Sequence, residues 1–210
     1  MGKQRLEAFS DGVLAVAVTL LVLDLHADAS SPDSLADQLR QQWPSFAAYL
    51  VSFFIIGVIW INHHALFALA ARVDRPLMFY NLLLLLFVTT IPFSTSTLAS
   101  YLLVGGPDSR LAVLLYGLSM EGMAISFTLI LRHLIRSGQL LRPVSAADGR
   151  KAVRRFGVGS ILYPLIMIVG LLSPVAMLIL YSALTAFYIA EQTPILPETP
   201  GPTPIGGTDP

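Results

Sequence analysis

Apolar residues in this chain gather into long runs separated by short polar connections, and the first run sets the pattern. Between Phe9 and Leu23 every residue is hydrophobic except Ser10, Asp11, Gly12 and Thr19. A bilayer-crossing helix needs roughly 20 mostly apolar residues, and runs of about that length recur along the chain. They predict a first span over 7–25, a second over 44–67 and a third that starts at Pro76. A fourth covers 111–131, and the run 156–190 is divided by Ser173-Pro174 into a fifth and a sixth. Pro92 lacks an N–H and is expected to kink or end the third helix, with Ser94 to Thr97 satisfying freed backbone groups. Residues 34–43 predict a short interfacial helix ending at Trp43, and Gly105-Gly-Pro107 a turn.

The pattern yields an all-α integral membrane protein with six transmembrane helices in one unit, residues 1–190, and no internal duplication. A tail over 191–210, rich in Pro, Gly and Thr, reads as disordered. Lys3 and Arg5 precede the first run and Ala27-Asp-Ala29 resembles a signal cleavage site. Glu7 and Asp11 argue against that reading, because acidic residues are unwelcome around a signal's apolar core. Composition agrees with a membrane protein: 55% of the 210 residues are hydrophobic, 12% are charged, and the mean hydropathy is +0.71. A soluble domain carries about twice that charged fraction. The formal net charge is zero, so nucleic acid is not an expected partner, and the absence of cysteine excludes disulfides and thiolate chemistry.

Basic residues give the orientation. With the N-terminus cytoplasmic, the inner segments hold Lys3, Arg5, Arg72, Arg75 and the stretch from Arg132 to Arg155, leaving only Arg40 and Arg110 of 13 basic residues outside. Six spans return the C-terminus to the cytoplasm as well. The basic cluster from Arg150 to Arg155 then serves as a topology determinant, with anionic lipid as a secondary partner.

That topology places several polar residues at one membrane depth. Ser10 and Asp11 lie near the inner end of the first span, Asn62, His63 and His64 near that of the second, and Asn81 early in the third. A carboxylate at membrane depth is costly and usually faces other helices or water. Arg5 and Asp11, six residues apart, are separated by about 9 Å and roughly 240° on a helix, so their partners lie on other helices or subunits. An inter-helix network of Arg5, Ser10, Asp11, His63 and Asn81 is expected, against the plainer reading in which such groups only anchor helix ends. His63 and His64 diverge by about 100° and do not chelate one metal together. Glu121, central in the fourth span, is either proton-sensitive or a protonated carboxyl bonded to a neighbouring helix.

Val16, Leu20 and Leu23 share one face of the first span, with Thr19 beside them. On periodicity alone that stripe is helix packing or lipid contact. However, Arg5-Leu-Glu-Ala-Phe9-Ser-Asp11 resembles the R-x-x-x-F-S-D signature that begins the first helix of the transmembrane protein 175 potassium channel family. The likeness extends through the aliphatic run, Trp60-Ile-Asn-His-His64 and the six-span layout, over roughly residues 3–190.

The resemblance implies a potassium-selective cation channel without a carbonyl filter, and no T-V-G-Y-G loop occurs here. In that family the first helices line a central pore with layers of bulky aliphatic side chains. The first layer falls on Val16, where relatives often have Ile or Leu. Further layers fall on Leu20 or Thr19 and then on Leu23. Eukaryotic members carry two six-helix repeats per chain; this chain has one, like prokaryotic members that assemble as homotetramers in the cell membrane. Arg5, Phe9, Ser10, Asp11, Asn62, His63 and Asn81 then form the supporting polar layer. Potassium is the permeant ion and no cofactor is implied.

A proton-coupled transporter, or a proton-permeable leak channel, using Asp11, His63 and Glu121 is the competing reading. An enzyme is not expected, since the sequence offers no metal triad, nucleophile–base spacing or phosphate loop.

Overall fold

The computed structural model describes residues 2–142 and 144–190, and these fold into a bundle composed almost entirely of helices. Helix α1 covers Lys3–Leu20 and tightens into a 3-10 turn, Leu21–Asp24. A polar loop leads to the short α2, Leu35–Gln41, and then to α3, Trp43–Ala68. Next come α4, Arg75–Tyr101, and α5, Gly106–Arg136. Helices α6, Ala146–Gly157, α7, Gly159–Leu172, and α8, Pro174–Ala190, complete the bundle.

Local chemistry sets most of these boundaries. Ser34 caps α2 by accepting the Asp37 N–H, and Asp74 caps α4 by accepting the Leu77 N–H. Pro44 and Pro76 occupy first-turn positions, where no N–H is needed. Gly105 and Gly106 take φ values of 73° and 72°, which lets the chain reverse between α4 and α5.

Helices α4 and α5 form the most extensive pair and the centre of the bundle. On one side α1 lies across α4 and α3; on the other, α7 packs on α5, and α8 bridges α7 to α3. The fully buried core includes Phe67, Leu77, Leu84, Ile91, Tyr116 and Met120. Gly122 is required by close approach, because a Cβ there would lie 2.3 Å from the Phe87 ring.

The structure corrects three expectations. First, the α-helix of the first span ends at Leu20, and Leu21–Asp24 is 3-10. Second, Pro92 does not end α4, which runs on to Tyr101. Pro92 is buried, and Ser94 and Thr95 both donate hydroxyl bonds to the carbonyl of Ile91, which holds the helix on both sides of the proline. Third, the apolar helix expected from residue 156 is preceded by α6, so Arg150, Lys151 and Arg154 sit on a helix that packs against α5.

By length and composition, five segments among the described residues can cross a membrane: Lys3–Asp24, Trp43–Ala68, Arg75–Tyr101, Gly106–Arg136 and Ala146–Leu172. Helix α8 is apolar but has 17 residues, roughly 25 Å at 1.5 Å per residue, against a hydrocarbon core of about 30 Å. The expectation for the 191–210 tail lies outside the described residues.

Candidate functional site

Helix α1 has two unlike faces. Leu6, Ser10, Leu14 and Ala17 are buried against α3 and α4, and Leu21 continues that line into the 3-10 turn. Val16, Leu20 and Leu23 point away from the bundle, 57%, 43% and 71% exposed. Residues three apart eclipse in a 3-10 helix, so the tightening at Leu21 stacks Leu23 almost directly over Leu20. Thr19 is exposed beside this line and donates its hydroxyl proton to the carbonyls of Ala15 and Val16, 3.1 and 2.9 Å away. Its oxygen lone pairs therefore face outward without a competing proton. Along the outward face Ala8, Gly12 and Ala15 precede Thr19, all exposed, a smooth line of small residues that sequence reading passed over.

Beneath the aliphatic line lies a polar cluster with a defined direction of donation. His63 Nε2 donates to Asn81 Oδ1 at 2.8 Å, Asn81 Nδ2 donates to Ser10 Oγ at 2.9 Å, and Ser10 Oγ donates to the carbonyl of Leu6 at 2.9 Å. Because Asn81 Oδ1 can only accept, the proton on His63 sits on Nε2. All three side chains are at most 1% exposed, and His63 also stacks on Phe67 with ring centroids 4.4 Å apart. Two inter-helix hydrogen bonds thus tie α1, α3 and α4 together at one level, and the Ser10 bond to Leu6 closes the chain within α1.

Not every residue expected in this layer joins it. Asp11 finds the expected partner on another helix, accepting from Trp60 Nε1 of α3 at 3.0 Å, but this bond lies between exposed groups on the flank of α1 and Asp11 makes no hydrogen bond to His63. Arg5 is exposed and makes no hydrogen bond or ion pair with the other described residues, because it lies on the same outward side of α1 as Val16. Asn62 is half-buried, outside the cluster, one residue around the helix from His63. Phe9 is 49% exposed on the outward face.

Sequence reading missed two further tethers of α1. At its N-terminal end Lys3 Nζ donates to the carbonyl of Ala70 at 3.1 Å, where the α3–α4 loop pairs with the segment after α5. That segment is held by Asp74, which accepts from His133 Nε2 at 2.9 Å and also from Gln139. Burial raises the pKa of the Asp74 carboxyl, but bonds from the Leu77 N–H, His133 and Gln139 outweigh it and hold the group below the ordinary value. At the other end Ser96 on α4 donates to Asp24 at 2.9 Å. The signal for both was present as a helix N-cap aspartate and a lone acidic residue closing an aliphatic run.

No group of three or more His, Cys, Asp or Glu residues suited to a metal exists among the described residues. What the arrangement offers is an apolar face held rigidly outward by a polar anchor.

Apolar helices of spanning length, one of them presenting such a face, define an α-helical multi-pass membrane protein. The family model described as endosomal/lysosomal potassium channel TMEM175 matches residues 5–92. A potassium channel of Streptomyces collinus is 44% identical over 193 residues, covering 91% of this chain and 93% of that one. The bovine endosomal/lysosomal proton channel TMEM175 is 30% identical, and the match covers 91% of this chain but only 41% of the larger protein. Among solved structures, that of a lysosomal potassium-selective channel TMEM175 homolog from Chamaesiphon minutus superposes with a TM-score of 0.78 at 32% identity. It covers 89% of this chain and 96% of that one. The chain therefore belongs to the TMEM175 family of ion channels, and is not an enzyme.

Proposed function

We propose that the chain is one subunit of a homotetrameric potassium channel, in which α1 of four subunits surrounds the ion path. Val16, Leu20 and Leu23 form its narrow layers, and no carbonyl filter takes part. The observation that carries this reading is the exposed aliphatic line of α1, backed by the buried Ser10–Asn81–His63 anchor. The line of small residues from Ala8 to Thr19 lets helices from neighbouring subunits approach closely. The naming of bacterial relatives as potassium channels supports the choice of ion.

A ring of four aliphatic side chains strips water from a cation without replacing it, so it gates by dewetting and imposes a size-dependent dehydration cost. Potassium sheds water more readily than sodium, which makes potassium the favoured ion. Thr19 oxygens, with their protons committed to the helix backbone, offer partial compensation next to the ring. In this reading α8 is the sixth span, both termini are cytoplasmic, and the channel sits in the plasma membrane of a prokaryote, consistent with the distribution of basic residues.

Reconstitution in liposomes with potassium, sodium and proton flux measured separately tests the proposal. Val16→Asn, Leu20→Ala and Leu23→Ala are expected to raise potassium flux or lower the potassium-to-sodium preference; unchanged flux in all three removes α1 from the ion path. The naming of vertebrate relatives as proton channels favours one second reading, a proton-permeable leak involving Asp11, His63 and Glu121. Proton flux that is insensitive to the α1 substitutions but lost on replacing those groups would favour it.

A further inference from the structure

Away from α1, the centre of each subunit holds a second polar region that the ion path leaves unused. It begins with a chain of hydroxyls whose donors are all assigned. Thr95 donates to the carbonyl of Ile91 and so accepts from Ser52 at 2.8 Å, and Ser52 in turn accepts from Tyr116 Oη at 3.0 Å. The Tyr116 proton is thereby committed to α3. The Tyr181 ring on α8 meets Tyr116 edge-on at 5.5 Å and stacks on Tyr163 of α7 at 5.8 Å.

Tyr181 is 1% exposed, yet its Oη has no partner among the described residues, and neither do Glu121 Oε2 on α5 and Ser160 Oγ on α7. Buried polar atoms are rarely left unpaired in native proteins. Packing places these orphans together. Gly117 faces Met167 and Gly170 faces Val113, so α5 and α7 run antiparallel with Glu121 level with Tyr163, and Ser160 one turn away. Tyr163 and Tyr181 both lie within electrostatic reach of the Glu121 carboxyl.

Among the described residues no basic or second acidic side chain faces this carboxyl from the packed helices. At its level α4 presents Phe87 and Thr90, α7 presents Tyr163, and α8 presents Tyr181. A lone carboxylate among tyrosines at membrane depth carries a large desolvation cost, whereas the acid form does not. Glu121 is only half-buried, beside the exposed Leu118 and Ile125, so it is reachable from outside the bundle.

We propose that Glu121, Ser160, Tyr163 and Tyr181 form a proton-binding pocket within each subunit, hydrated and separate from the path along α1. Water is the natural partner of the orphaned oxygens, since a buried water typically joins about three polar groups. The proton resides on the carboxyl of Glu121, and Tyr181 and Ser160 hold the water that exchanges it. The separation rests on the α1 pore reading; the proton-binding site does not.

Infrared titration of the full-length protein in lipid tests the pocket directly. The wild type should show a protonated-carboxyl band that is lost at high pH, absent in Glu121→Gln and shifted in Tyr181→Phe. An unchanged band in Glu121→Gln, or no titrating carboxyl band in the wild type, overturns the proposal. A hydrophobic carbodiimide checks access. The acid adds across one N=C bond, its oxygen bonding the central carbon and its proton passing to nitrogen, to leave an acylisourea at residue 121. Labelling read by peptide mass spectrometry should fall as pH rises and vanish in Glu121→Gln; label elsewhere but not at residue 121 counts against it. Glu121→Gln should retain potassium flux; its loss in a protein of wild-type size and thermal stability would place Glu121 in the ion path and overturn the separation.

Discussion

At the scale of single residues, the Asn81 side chain carries more than its share. It accepts from His63 and donates to Ser10, so removing it orphans the buried His63 Nε2 and leaves Ser10 with its Leu6 carbonyl bond alone. Leaving one buried polar group unsatisfied costs about 1–3 kcal/mol. Asn81→Leu is thus expected to lower thermal stability in detergent markedly, whereas Arg5→Gln, at a side chain with no intrachain partner, leaves it within about 0.5 kcal/mol. Ser10, His63 and Asn81 were legible as one layer because topology alone fixes depth. Asp11 and Arg5 were not assignable from depth, since membership also requires the right helix face, and Asp11 sits one residue, roughly 100°, around from Ser10.

At the scale of elements, α4 and α5 depend on close approach at Gly122. A methyl group there collides with Phe87, and overpacking of a filled core costs about 1–3 kcal/mol. Gly122→Ala should therefore lower the unfolding temperature by more than Gly12→Ala, where a Cβ meets nothing within 4 Å. The N-terminus of α4 carries a pH dependence of known sign. The folded-state pKa of Asp74 lies below its ordinary value of 3.8, so its stabilising effect is complete above that value and is lost as pH falls through the folded-state pKa. Asp74→Asn should remove that acid-limb dependence, read as stability against pH. The all-helical class and the order of the apolar helices were legible because runs of spanning length leave few alternatives, although five described segments rather than six reach that length. The continuation of α4 through Pro92 was not, because burial among neighbouring helices, with hydroxyl bonds to Ile91 across the proline, is a tertiary effect that the local sequence does not show. Likewise, the helical state of residues 146–157 was hidden by their charge, and contact with α5 accompanies it.

At the scale of the whole molecule, the outward aliphatic face of α1 is the surface on which copies are proposed to meet. The chain lacks cysteine, so a single thiol introduced at Leu23 is unique in each subunit. Four copies of α1 around one axis bring those thiols together, and mild oxidation should convert the monomer band to a disulfide-linked dimer in denaturing gels. A thiol at Ile168, exposed on α7 far from that axis, should stay monomeric; equal cross-linking at both sites argues against α1 at the centre.

The two tethers of α1 constrain how such a channel opens. Lys3 fixes its N-terminal end to the carbonyl of Ala70, and Asp24 fixes its C-terminal end to Ser96, with the Ser10–Asn81 and Asp11–Trp60 bonds between them. A rod pinned at four points along its length cannot swing as a lever about a hinge. Widening the passage is then left to side-chain rotamers and to twist between the pins, above all where the α-helix hands over to the 3-10 turn at Leu21. In the proposed pore such a gate moves few atoms, working by wetting and drying rather than by a sweep of whole helices.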